Sequence, residues 1–193
     1  MDSAGKLVTL YSAQRQAVAD ILQRGETYYV KKKYIKQKYV EVSAVFLSAY
    51  EWYARQAGEV VPKPEQAESG VWAFIDAVNA QPGQGDKLLV LEVPETEIVF
   101  FDMLEWNRIL NGQPLGDEKT RRHYEEQLQM QGIKSEYEVL STAFYPLLKR
   151  ELMDSWKALF RHDGPIKEGK EHGVAHVQAG LWLIRPEWIK EIL

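Results

Sequence analysis

The sequence predicts an α+β fold: a single domain over residues 1–193, with a bent mixed or antiparallel sheet packed against several helices. Three observations predict it. Short apolar and β-branched runs, clearest at residues 87–93, read as strands. Longer stretches with apolar residues three or four apart read as amphipathic helices. The expected order, β-α-β-α-β-β-β-α-α-α-β-α, does not alternate strictly, which argues against a doubly wound parallel sheet.

Each element has its own signal. Residues 7–10 form a short apolar strand. Ala17, Val18, Ile21 and Leu22 recur at helical spacing, and Gly25 follows as a helix stop. Residues 27–30 are β-branched and aromatic, so a second strand is expected. Ile35, Tyr39, Val42, Phe46, Ala49, Tyr50, Tyr53 and Ala57 mark one face of a long helix ending near Gly58. Pro62 and Pro64 mark a loop. Residues 71–75 read as a strand carrying Trp72 and Phe74, and residues 81–86 (QPGQGD) as a turn. Pro94 interrupts the ladder between 87–93 and a strand or continuation at 98–101.

Asp102 then stands as the N-cap of a helix stopped at Asn111 and Gly112. Residues 117–130 are a polar helix. Residues 137–160 are helical with a break at Pro146. The charged, Gly-bearing stretch 161–173 reads as a loop, 174–184 as a strand, and 186–192 as a last helical turn opened by Pro186.

Composition removes several chemistries. The chain has no cysteine, which excludes disulfides, thiolate catalysis and cysteine-ligated metal. The sequence has no P-loop, dinucleotide-binding glycine pattern, His-Glu-x-x-His or Gly-x-Ser-x-Gly. No run approaches the ~18 apolar residues of a membrane span. Residues 1–6 lack a basic segment leading into an apolar one, so a cytoplasmic location is expected. His172 and His176 lie four apart, but Gly173 and the strand pattern after it oppose a shared helical face. Two solvated loop histidines, with no metal, are the expectation.

Two sets of residues stand out. The first is a tract of Tyr28, Tyr29, Lys31, Lys32, Lys33, Tyr34, Lys36, Lys38 and Tyr39. It would contact phosphates and stack on bases if the chain met nucleic acid. The plainer account, which the net charge of −4 favours, is the solvated face of the long helix. The second is the tryptophans, for which core packing is expected. Trp72 is singled out because its short strand lies between a Pro-bearing loop and a Gly-rich turn, where ligand pockets often open.

Several strings carry a family resemblance. They are Ala49-Tyr50-Glu51-Trp52, Gly70-Val71-Trp72-Ala73-Phe74, residues 88–111 (LLVLEVPETEIVFFDMLEWNRILN), residues 155–160 (SWKALF) and residues 177–182 (VQAGLW). In this order they resemble the bacterial family called domain of unknown function 3841. The resemblance covers nearly the whole chain and implies an intracellular protein, with no activity attached.

The two ends also resemble ADP-ribosyltransferase-like domains. Residues 7–25 (LVTLYSAQRQAVADILQRG) look like their opening strand and helix, and residues 176–192 (HVQAGLWLIRPEWIKEI) like their last strand and proline turn. That resemblance implies a split, strongly bent sheet with NAD in the cleft, lined by Tyr11, Ser12, Trp72 and Gln178. Ser12 stands where those domains place a His or Arg, and Gln178 where they place the catalytic Glu. An amide hydrogen-bonds a ribose hydroxyl but neither accepts a proton nor stabilises a developing cation as a carboxylate does. The expectation is therefore a pocket that binds without ordinary transfer. A protein- or RNA-binding regulatory module and an enzyme using carboxylates such as Asp102 remain alternatives.

Overall fold

A computed structural model describes residues 5–31 and 43–193. Its six strands form one antiparallel sheet in the order β4-β5-β2-β1-β3-β6. The order follows from which runs can pair along their length. β1 (Leu7–Arg15) and β3 (Asp86–Pro94) are both nine residues long and pair from Leu7 opposite Pro94 to Arg15 opposite Asp86. Their even and odd positions respectively (Leu10, Leu89, Leu91, Val93) turn to one face and are buried there.

β1 runs directly into α1 (Gln16–Gln23), which buries Val18, Ala19 and Leu22. Gly25, at φ 79°, ends it. The amide of Glu26 reaches back to the Ile21 carbonyl and that of Gly25 to Leu22, so the last turn closes without an orphan acceptor. The expected strand at 27–30 is reduced to two bridges, Tyr28 with Ile184 and Val30 with Ser69.

α2 (Ser43–Val60) covers the sheet face carrying Val99 and Phe101, presenting Val45, Ala49, Trp52, Tyr53 and Ala57. That stripe leaves Phe46, expected inside, half-buried. The first part of the predicted helix and the lysines Lys32, Lys33, Lys36 and Lys38 lie outside the described residues.

The connection from β3 to β4 (Val99–Asp102) shows how strongly the sheet bends. β3 and β4 are four places apart in the sheet order. Four strand spacings span about 19 Å. Five residue steps reach about 17 Å only when fully extended. This linker is not extended, because residues Glu95–Glu97 form a 3-10 turn. A flat sheet could not be joined this way. It curls so that Ile98 and Phe100 of the β4 edge pack in the same core as Leu91 and Val93.

The helices after β4 are placed by their caps. Asp102 accepts from Leu104 N at 2.7 Å and starts α3 (Met103–Leu110), as its position predicted. Asp117 caps α4 (Glu118–Met130) and Ser135 caps α5 (Glu136–Ser141). Pro146 opens α6 (Pro146–Ser155), so the predicted break is a new helix start. A 3-10 helix, Trp156–His162, follows.

Two expectations are corrected. The stretch 161–173 is not all loop, because Asp163–Lys167 forms α7. Gly164 and Pro165 read as breakers, yet a proline in the first turn of a helix loses no hydrogen bond. Residues 186–192 are not one helical turn. A 3-10 turn at Pro186–Trp188 leads into β6 (Ile189–Ile192), which pairs with β3. β5 (Val177–Leu181) is buried on both faces in the middle of one half of the sheet. No helix among the described residues is long and apolar enough to cross a membrane.

Candidate functional site

The candidate site forms where the sheet is weakest. β1 pairs with β3 over nine positions but with β2 (Val71–Phe74) at one, Tyr11 opposite Phe74. Beyond Phe74 the chain turns away, and Ile75 N bonds the Val177 carbonyl. The sheet is thereby split into β4-β5-β2 and β1-β3-β6, hinged at Tyr11 and Phe74. A groove of about 350 Å³ opens at the split. Tyr11, Thr9, Ile75, Phe100 and Ile166 line it together with Lys6 and Glu95, which pair at 2.8 Å, and Tyr11 is the one of the four predicted residues in that lining.

Register across the split places three of the four predicted residues on one face. Tyr11 is opposite Phe74, Phe74 opposite Gln178, and Gln178 opposite Phe101. Side chains directly opposite share a face. Two strand spacings, about 10 Å, separate the backbones of Tyr11 and Gln178. Trp72 is one row along on that face, opposite Gly180. The face is half open where β1 and β2 form it, since Tyr11, Ala13, Trp72 and Phe74 are all partly exposed. On β4 and β5 it closes beneath α2.

Ser12 does not join them. Alternation turns it to the other face, where it is 0% exposed. Its hydroxyl donates to the Trp72 carbonyl at 2.7 Å and accepts from the Gln14 amide at 2.9 Å. It ties β1 to β2 beside the single paired position.

Gln178 was expected in an open pocket but is only 3% exposed, because Phe74 and Phe101 flank it in its row. The buried side-chain polar atoms without a partner among the described residues are Ser69 Oγ, Asn79 Nδ2 and the Tyr124 hydroxyl, and the Gln178 amide is not one of them. The neighbouring Gly180 is needed because a Cβ there would overlap the Tyr53 hydroxyl oxygen. Gln178, Gly180 and Trp182 do alternate with Val177, Ala179 and Leu181, as a strand requires.

Trp72 is the one tryptophan of six that is not buried. Its ring stands edge-on to Tyr53 at 4.9 Å and tilted to Trp106 at 5.1 Å. Its indole N–H donates to the Tyr50 hydroxyl at 3.2 Å. The ring is thus fixed by aromatic packing and this bond, and the residue stays partly exposed. Tyr53 is fully enclosed, and burial, then the charge of Asp163, push its hydroxyl well above the usual phenol range, so it stays neutral.

The model of the family described as Domain of unknown function (DUF3841) matches residues 9–190. The chain belongs to that family. No curated protein matches it, and no solved structure does. The DUF3841 match takes in Tyr11, Trp72 and Gln178 together, and so spans the whole split.

Sequence reasoning missed Phe74, the residue that joins Tyr11 to Gln178. Strand alternation from Trp72 would have placed it on the same face. It also missed the bidentate pair of Arg161 with Glu105, in which Arg161 Nη1 lies 3.0 Å from Glu105 Oε2. The two residues are far apart in sequence and no local pattern joins them. His162 sits beside that pair. Partial burial, and then the Arg161 charge, hold its imidazolium below the ordinary value of 6.5.

Proposed function

We propose that this chain is a nucleotide-binding, ADP-ribosyltransferase-like domain that takes NAD or a related nucleotide at the split in its sheet and does not transfer it. The observation that carries the reading is the row Tyr11–Phe74–Gln178 across three adjacent strands at the only β1–β2 pairing. It brings together two chain ends whose resemblance to such domains requires a shared, split sheet.

The residues fit such a ligand. Tyr11, Trp72 and Phe74 offer aromatic surface, on which adenine or nicotinamide rings stack. Gln178 offers one donor and one acceptor for a ribose diol. Bound NAD would supply a glycosidic bond to a good leaving group. Breaking that bond builds positive charge on the sugar, which a carboxylate stabilises and a neutral amide does not. The chain therefore binds and orients.

Calorimetric titration with NAD tests this. The expected dissociation constant is on the order of 0.1 mM, about −5.5 kcal/mol, with no nicotinamide released on prolonged incubation. Tyr11→Ala should weaken it. Gln178→Leu should abolish binding, because it removes the donor and acceptor offered to the ribose diol. No heat at millimolar NAD, or binding indifferent to both variants, refutes the reading.

A further inference from the structure

A second groove, of about 410 Å³, lies between α2 and α6 and is unrelated to the split. Arg55 of α2, Lys149 and Arg150 of α6, and Lys157 just beyond it line its walls. Buried Trp52 lies beneath, held edge-on to Trp156 at 5.4 Å and stacked on Phe160 at 5.8 Å. The one carboxylate in the lining, Asp154, is held by Lys157 at 2.8 Å. Neither Arg55 nor Arg150 makes an ion pair within 4.0 Å among the described residues, although the Arg150 charge helps hold Asp154 ionised. Four cations against one carboxylate is a local reversal in a chain with 28 acidic and 24 basic residues.

An apolar knuckle stands next to this groove. Phe144 and Leu147, at the junction of α5 and α6, are 81% and 76% exposed. Pro146, between them, lines the groove. Leu147 and Arg150 are three apart on α6 and so share its outer side. Water is a poor environment for large apolar side chains as exposed as these, and exposed apolar surface of this kind marks binding sites. A phosphate-bearing ligand would satisfy the arginines and leave the knuckle uncovered. A protein segment with both carboxylates and large apolar side chains uses all of it.

We propose that this face docks an acidic segment of a partner protein, with carboxylates on Arg55 and Arg150 and one or two apolar side chains on Phe144 and Leu147. Charge complementarity selects the occupant, and size agrees with it. α6 has ten residues, an axial length of about 15 Å, which four or five extended residues or a short helix would match.

The test selects a random peptide library on the protein and measures the enriched peptides against two double variants, Arg55→Glu with Arg150→Glu, and Phe144→Ser with Leu147→Ser. All four positions are exposed, so the melting curves should barely move. The enriched peptides should combine Asp or Glu with Leu, Phe or Trp. Each double variant should weaken them by about tenfold or more, and salt should weaken them further. No enrichment over the charge-reversed protein overturns the proposal. So does enrichment of peptides without acidic residues. It also falls if single-stranded RNA or pyrophosphate binds the native protein, loses binding in the arginine variant and ignores the serine variant, since the groove would then serve phosphates.

Discussion

Gly180 is fixed by the ring above it. Any side chain there meets the Tyr53 hydroxyl, and Tyr53 is wedged among Trp72, Phe101 and Trp106. Gly180→Ala should therefore cost about 1–3 kcal/mol by overpacking. Tyr53→Phe, which removes the colliding oxygen, should recover part of that in the double variant, and chemical denaturation of all three proteins measures it. His162 gives a residue-scale pH dependence. Its folded proton affinity is lowered, so as pH falls below 6.5 the unfolded chain takes up a proton that the folded chain still refuses. Stability should decline over that window, and His162→Gln should flatten the decline. The mutant and native curves coinciding from pH 7 to about pH 5 would show that His162 titrates alike in both states.

At the scale of elements, β4 is one of the two edges of the sheet, and α7 covers it. Asp163 accepts the Phe100 backbone N–H at 2.8 Å and pairs with Lys167 at 2.8 Å, both largely buried. An edge amide that would otherwise invite another strand is thereby capped. Asp163→Ala should orphan that amide and the Lys167 charge, costing about 2–5 kcal/mol. It should also raise the protein's tendency to associate, which light scattering at several concentrations would show. The cap was not legible in the sequence, because Asp163 and Phe100 are 63 residues apart. What was legible was local. The helices that begin at Asp102 and Asp117 were readable because capping is decided within one turn. β6 was misread because Pro186 announces a helical start as well as a tight turn, and only the partner β3 decides between them.

At the scale of the molecule, the strand content was readable and the strand order was not. Periodicity marks which residues face a core, but the crossing from β3 to the far edge at β4 depends on curvature no local pattern records. The candidate site divides the same way. Alternation correctly set Gln178, Gly180 and Trp182 on one face. It equally sets Tyr11 and Ser12 on opposite faces of β1. The enclosure of Gln178 by Phe74 and Phe101 depends on register, which exists only once the sheet is assembled.

The central claim is that a nucleotide enters at the split, beside Trp72. The most direct measurement follows the six tryptophan indole N–H resonances during an NAD titration, with Trp72→Phe assigning one of them. The account predicts that the Trp72 resonance shifts saturably while those of Trp156 and Trp188, enclosed in the two cores away from the split, stay in place. No movement at millimolar NAD, or movement confined to Trp52 beneath the α2–α6 groove, would contradict it.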